Sequence, residues 1–240
     1  MSGHSKWATI KRQKGAADLK RGLTFTKISN AITIAVKRGG RITDPSSNFR
    51  LRLAIEAARA ANMPKDNIER AIQKAVGKDA GVVEEVIYEG FAPEGISVII
   101  EAATDNTLRT TSEIKSIFNK EGGNFGQPGS VSYLFSQKGI IVISKNGKSI
   151  DELFEAAVES GAEDIEDAGD KAIITTSFTN LTAVREKLVE KGITAEDVEV
   201  IRKPLIPIAI SDKEKLDKVK NFLDKIEELD DVQKVYSNLK

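Results

Sequence analysis

The first readable period in the chain places Phe25, Ile28, Ile32 and Ala35/Val36 three to four residues apart, with polar residues between them. That spacing puts the apolar side chains on one face of an α-helix, and Gly39-Gly40 ends it. A second helical pattern runs from about Ser47 to Ala61 with Leu51, Ile55 and Ala58 on one face, and Asn62-Met63-Pro64 breaks it. Pro64 suits the first turn of a third helix, where Asp66 lies near the positive end of the dipole. Its apolar stripe is Ile68, Ala71, Ile72 and Ala75, and Gly77 closes it. Three helices of this kind predict a small bundle with its Lys and Arg side chains mainly off the apolar stripes.

From Val82 the period shortens. Val83–Tyr88 and Ile96–Ala102 are rich in branched residues and are separated by Gly90-Phe-Ala-Pro-Glu-Gly95, which predicts a β-hairpin. A helix carrying Ile114, Ile117 and Phe118 ends at Gly122-Gly123. The densest Gly/Pro stretch, residues 122–130, predicts a hinge. Strands are expected at Val131–Phe135 and Ile140–Ile143. Ser149 with Glu152 reads as a capping box that opens a helix burying Ile150, Leu153, Phe154 and Ala157. Short strands follow near Asp164–Glu166 and Ala172–Thr176, then a helix near Leu181–Lys191 and a strand at Val198–Ile201. The C-terminal stretch predicts a strand at Leu205–Ile210, a capping box at Ser211/Glu214, a helix through Leu216, Val219, Leu223 and Ile226, and a strand near Val232–Tyr236.

Counting elements suggests how they are shared out. Residues 80–128 supply only β-β-α, about 50 residues, which is marginal for an independent core. The last segment, β-α-β, is smaller still, whereas 130–203 could stand alone. The expected fold is therefore α+β: a three-helix basic bundle plus two small α+β domains, one of them discontinuous. The boundaries are 1–78 for the bundle, 79–129 plus 204–240 for the discontinuous domain and 130–203 for the inserted one. A single continuous sheet over 80–240 is the alternative.

Charge adds what periodicity cannot. The 240 residues hold 36 Lys/Arg and 36 Asp/Glu, a net charge of zero. Residues 1–77 nevertheless hold 16 basic and 5 acidic residues, net +11, and residues 78–240 are net −11. A basic module for a polyanion joined to an acidic body is the reading this asymmetry favours. Cys is absent, which removes disulfides, thiolate catalysis and Cys-ligated metal centres. A single His, His4, excludes HExxH zinc sites. No apolar h-region opens the chain, and no run approaches the ~18–20 apolar residues needed to span a bilayer. A cytoplasmic protein with no membrane partner is expected.

The segment Gly3-His-Ser-Lys-Trp-Ala-Thr-Ile-Lys-Arg-Gln-Lys14 is the most suggestive. Residues 1–27 contain seven basic residues and one acid, together with the only Trp and the only His. Lys and Arg neutralise phosphates, and exposed bases stack on Trp or His. The candidate nucleic-acid contacts are His4, Lys6, Trp7, Lys11, Arg12, Lys14, Lys20, Arg21 and Lys27. The alternative has Trp7 and Ile10 anchoring the arm on the bundle while its charges face solvent. Elsewhere the simpler readings prevail: Pro64 and Asp66 as a helix start, Thr104-Asp105-Asn106 as a helix N-terminal turn, and acidic 163–170 as a solvated turn. Residues 122–130 lack both GxxxxGK[ST] and GxGxxG spacing, so a hinge is preferred to a phosphate cradle. No nucleophile–base pair is legible, so a binding protein is expected rather than an enzyme, with no cofactor, metal or small-molecule substrate.

Several segments carry a resemblance: Gly3-His-Ser-Lys-Trp7, Arg21-Gly-Leu-Thr-Phe-Thr-Lys27, Arg50-Leu-Arg52, Ala61-Asn-Met-Pro-Lys-Asp-Asn-Ile-Glu-Arg70, Tyr88-Glu-Gly90, Thr104-Asp-Asn106, Gly122-Gly-Asn124 and Gly129-Ser-Val131. In this order they resemble the YebC/PmpR family, which includes the mitochondrial translational activator of cytochrome c oxidase subunit I. The resemblance covers essentially the whole chain. It implies a helical domain and two α+β domains, one discontinuous, around a cleft. It also implies gene regulation through nucleic acid, either as a DNA-binding transcription regulator or as a ribosome-bound translation factor that relieves stalling at proline-rich sequences. A protein-interaction scaffold is the remaining alternative. This chain departs from the family pattern at Thr107-Leu108, ahead of Arg109, and in the loop Arg41–Asn48.

Overall fold

The computed structural model describes residues 19–77 and 83–240, with the side chains of residues 19–23 and Phe49 left aside. Three helices come first: α1 (Leu19–Arg38), α2 (Phe49–Ala60) and α3 (Lys65–Val76). They close on Ile32, Val36, Leu51, Ile55, Ala58 and Ala71, among others, with Phe25, Ile28 and Ile72 half-buried at the rim. The apolar spacing read from the sequence is thus the bundle core. Asn48 organises the α1–α2 corner. Its Oδ1 accepts from Leu51 N at 3.1 Å, capping α2, while its Nδ2 donates to Ala35 O (3.1 Å) and Ile42 O (2.9 Å).

A first sheet follows, built from β1 (Glu84–Phe91), β2 (Ser97–Thr104), β3 (Asn124–Phe125) and the C-terminal β8 (Val232–Ser237), in the order β3-β1-β2-β8. Each neighbouring pair is antiparallel. Two helices, α4 (Thr107–Glu121) and α7 (Lys213–Glu227), supply Ile114, Phe118, Val219 and Phe222 to the core formed with Tyr88, Val98 and Ile100. Phe118 sits edge-on to Phe222 with ring centroids 4.9 Å apart. Gly90 has no room for a side chain: a Cβ there would lie 2.6 Å from Asn124 O and 2.6 Å from the Phe118 ring.

Between these pieces run β4 (Phe135–Ser144), α5 (Ile150–Ser160), β5 (Asp164–Ala168), β6 (Lys171–Ser177), α6 (Leu181–Glu190) and β7 (Ala195–Pro204). Their antiparallel sheet has the order β5-β6-β4-β7. The β-α-β-β-α-β succession in that order is the split βαβ, ferredoxin-like arrangement. The described residues form two compact units, one of those up to Leu134 together with residues 205–240 and one of residues 135–204.

Four local expectations are corrected. Val131–Phe135 is not a strand: Ser132–Leu134 form a 3-10 turn and β4 begins at Phe135. Leu205–Ile210 makes one isolated bridge, Ile208 to Leu239, because Pro204 and Pro207 remove ladder donors and the apolar side chains of Leu205 and Ile206 stay exposed. Asp212, not Ser211, caps α7 by accepting from Lys215 N at 3.1 Å. The stretch 122–130 contains β3 and a loop closed around a carboxylate: Glu89 accepts from the backbone N–H of Gly129 (2.8 Å), Val131 (2.8 Å) and Ser132 (2.9 Å). Ser149 and Glu152, in contrast, form the capping box read from the sequence.

Candidate functional site

Within the first unit a cleft of about 560 Å³ lies between α1 and α3 on one side and α4 with residues 228–231 on the other. Asp105, Arg109 and Asp231 line its sheet-side wall, and Thr104 and Asn106 flank Asp105 in the chain. Asn106 caps α4 by accepting from Arg109 N at 3.0 Å, and its own N–H donates to Thr104 Oγ1 at 2.9 Å. The helix-start reading of this motif therefore describes part of its work. The rest is done with Asp231, from the turn before β8, whose Oδ2 accepts from Thr110 Oγ1 (2.6 Å), Arg109 Nη2 (2.7 Å) and Thr104 Oγ1 (3.0 Å). Arg109 also reaches Asp105 at 3.0 Å. Burial alone would raise the Asp231 carboxyl, but the donors from Arg109, Thr110 and Thr104 outweigh it and hold the pKa below the ordinary carboxylate value. The hydrogen bond to Asp231 raises the Arg109 pKa in turn.

The bundle reaches across to this wall through polar side chains. Lys27 Nζ donates to Glu227 O (2.5 Å) at the carboxyl end of α7, and Asn30 Nδ2 donates to Ala103 O (3.2 Å). Lys37 Nζ donates to Val83 O (2.6 Å), and Arg38 Nε meets Glu85 Oε2 at 2.6 Å. Burial pushes the Lys27 pKa below its ordinary value, against the opposing pull of Glu227, Asp230 and Glu228. Asp105, Glu113, Glu228 and Asp230 give the cleft an acidic lining.

Of the sequence-read contacts, His4, Lys6, Trp7, Lys11, Arg12 and Lys14 lie outside the described residues. Lys20 and Arg21 fall in the first turn of α1. Lys27 is half-buried and turned inward, as described above. The bundle's outward cations lie elsewhere. Arg41, Arg50 and Arg59 are exposed, and none has an ion pair with another described residue, whereas exposed Lys74 lines the cleft. Arg50 and Arg59 flank the buried stripe of α2 on opposite sides, as 100° per residue requires. Arg52 is folded onto Pro45 O and Ser46 O, both at 3.1 Å. On α3, Lys65 pairs with Glu69 (3.5 Å), and Arg70 is held by Asn67 and by Asp66 O. Exposed arginines with uncommitted donors can bind phosphate oxygens in forked geometry. Among the described residues no group of three or more His, Asp or Glu is placed to hold a metal ion.

Comparison with known proteins agrees with this architecture. The family described as "TACO1/YebC protein N-terminal domain" matches residues 5–78, and "TACO1/YebC second and third domain" matches residues 83–239. A "probable transcriptional regulatory protein" of Chloroflexus aurantiacus is 48% identical over 242 residues, covering 100% of this chain and 95% of the relative. One of Persephonella marina with the same description is 48% identical over 240 residues, covering 99% and 95%. The crystal structure of a conserved hypothetical protein from Aquifex aeolicus superposes with a TM-score of 0.84 at 45% identity, covering 98% of this chain and 97% of the other. Matched over nearly its whole length in sequence and in fold, the chain belongs to the TACO1/YebC family.

Proposed function

We propose that this protein is a non-enzymatic, cytoplasmic regulator of gene expression that binds nucleic acid through its N-terminal bundle. The observation that carries the reading is the +11 charge of residues 1–77, with Arg41, Arg50 and Arg59 exposed and unpaired among the described residues. Phosphate contacts of that kind supply affinity and a steep dependence on salt. The relatives named as transcriptional regulators support the same class of function. The proposed contacts are His4, Lys6, Trp7, Lys11, Arg12, Lys14, Lys20, Arg21 and Lys27, to which we add Arg41, Arg50 and Arg59.

A ribosome-bound translation factor is the second reading, and α3 favours it. Sequence-specific duplex readers insert a helix whose polar side chains are free for base edges. The cations of α3 at Lys65 and Arg70 are instead engaged within their own helix. Folded RNA offers exposed bases and a curved backbone that a basic arm bearing one Trp can follow.

In the full chain, Lys11, Arg12 and Lys14 replaced together by Ala should weaken binding to unrelated sequences alike and make the salt slope shallower by about three. Trp7→Ala should cost roughly 1–3 kcal/mol of binding with the slope nearly unchanged. A competition titration near physiological salt, setting ribosomes against a promoter duplex and its scramble, separates the two readings. We expect ribosomes to win and the duplexes to be poorly distinguished. A promoter preferred by more than about a hundredfold, near the low end of specific recognition, would leave the transcription reading standing and the translation reading refuted.

A further inference from the structure

The bundle core and the first-sheet core share no residue. Where α1 packs against β2 and β8, polar side-chain links join the two, four of which are Lys27 to Glu227 O, Asn30 to Ala103 O, Lys37 to Val83 O and Arg38 to Glu85. Beside these links lies the cleft of about 560 Å³. An interface held by polar links between separate cores has the character of one that opens, since water or another ion can replace each link at small net cost.

The identity of the links gives this a direction. Three of the four are cations of the bundle, and their acceptors are main-chain carbonyls and one carboxylate of the sheet portion. Asp105, Glu113, Glu228 and Asp230 stand around the same cleft, so a phosphate approaching the docked face of α1 meets like charge within a screening length. The sheet portion thus presents to α1 the chemistry that a nucleic-acid backbone would present, oxygen acceptors set in a negative field. Resting on the function proposed above, we propose that the first sheet is a built-in competitor of the nucleic acid: the docked state withholds Lys27, Lys37 and Arg38, and polyanion binding proceeds with release of α1 from the sheet. The affinity observed for the nucleic acid is then the intrinsic affinity scaled by the fraction of molecules undocked.

The chain has no cysteine, so Ala60→Cys on α2 and Asn119→Cys on α4, both exposed, can carry a donor and an acceptor fluorophore in the full-length protein. Saturation with a single-stranded oligouridylate at low salt should reduce energy transfer between them. The unlocking variant Glu85→Gln with Asp230→Asn changes only the sheet portion. It should lower transfer before any oligonucleotide is added, raise affinity about three- to tenfold and steepen the salt dependence by one to two freed phosphate contacts. Should the pair lower the melting temperature, exposed Glu85→Gln alone carries the same expectations at smaller size.

Binding by the wild type with transfer unchanged would overturn the proposal and leave the function standing. Unlocking substitutions that leave affinity unchanged, or reduce it, would do the same. No binding by the wild type together with binding by the unlocked variant would support complete self-competition. If neither protein binds oligouridylate or duplex DNA, the nucleic-acid reading fails and takes this proposal with it.

Discussion

Asp231 retains 7% of its surface and still ionises readily, because three side-chain donors converge on one of its oxygens. Glu89, at 6% exposure, is held ionised by three backbone N–H groups that overcome the upward push of burial. Both carboxyls have folded pKa values below their unfolded ones. Each therefore stabilises the protein fully above the ordinary carboxyl range, and that contribution is lost as pH falls through the lower, folded values. Asp231→Asn should cost about 2–3 kcal/mol at neutral pH, a figure kept low because Arg109 is partly solvent-screened. Its urea midpoint should also fall less than that of the wild type between pH 5 and pH 3, the span below the ordinary carboxyl pKa. Neither carboxylate was legible as a site. Thr104-Asp105-Asn106 is a visible motif, but Asp231 lies 127 residues beyond Thr104, and no local period announces it. Tyr88-Glu-Gly90 and Gly129-Ser-Val131 stand apart in sequence and converge as one carboxylate with its cradle. Lys27 was legible as a cation but not as one turned inward, since its acceptor is a main-chain carbonyl 200 residues away.

The elements that could be read were those whose period reported one buried face. The second and third bundle helices fall within a few residues of their expected bounds, and the first ends where Gly39-Gly40 predicts its stop, because each packs a single stripe against the same core. The failures occur where apolar residues serve different neighbours or none. Val131 is buried beside the Glu89 loop and Phe135 opens β4, so their apparent alternation spans a 3-10 turn. Leu205 and Ile206 are apolar yet 59% and 68% exposed, and a strand pattern without a face to bury does not form a strand. Asn48 shows how much a corner depends on one amide: it caps α2 and ties the preceding loop to α1 while only 4% exposed. Asn48→Ala removes three hydrogen bonds, leaves the Leu51 N–H without its cap and unties Ile42 O from the corner, while Ala35 O keeps the donor it has in Gly39 N. It should destabilise the protein by about 2–3 kcal/mol, read as a shift in chemical-denaturation midpoint with the transition slope unchanged.

For the whole molecule, element counting leads to the expectation of a separable middle segment, because β-β-α and a terminal β-α-β are each too small to bury a core alone. In the structure the first sheet is completed by β8, whose pairing with β2 joins the C-terminal segment to the β1–β2 hairpin. The middle unit leaves and returns at neighbouring points: Phe135 pairs with Pro204, and Leu205 N donates to Leu134 O at 2.9 Å. We propose that residues 130–203, read as an inserted domain, behave as one. Replacing 135–204 by a short glycine linker should leave a protein that still melts cooperatively with the tertiary signals of the first core. Loss of the cooperative transition would show that the two parts fold only together. The same adjacency has a mechanical meaning. Tension transmitted through the two linkers enters the second sheet at the last rung of the β4–β7 ladder and loads its hydrogen bonds one after another, as a zipper is loaded, instead of all at once in shear. The middle unit would then give way under a modest pull however well it resists heat, and its strength would be set by the outermost rungs, Phe135 to Pro204 and Ser136 to Lys203.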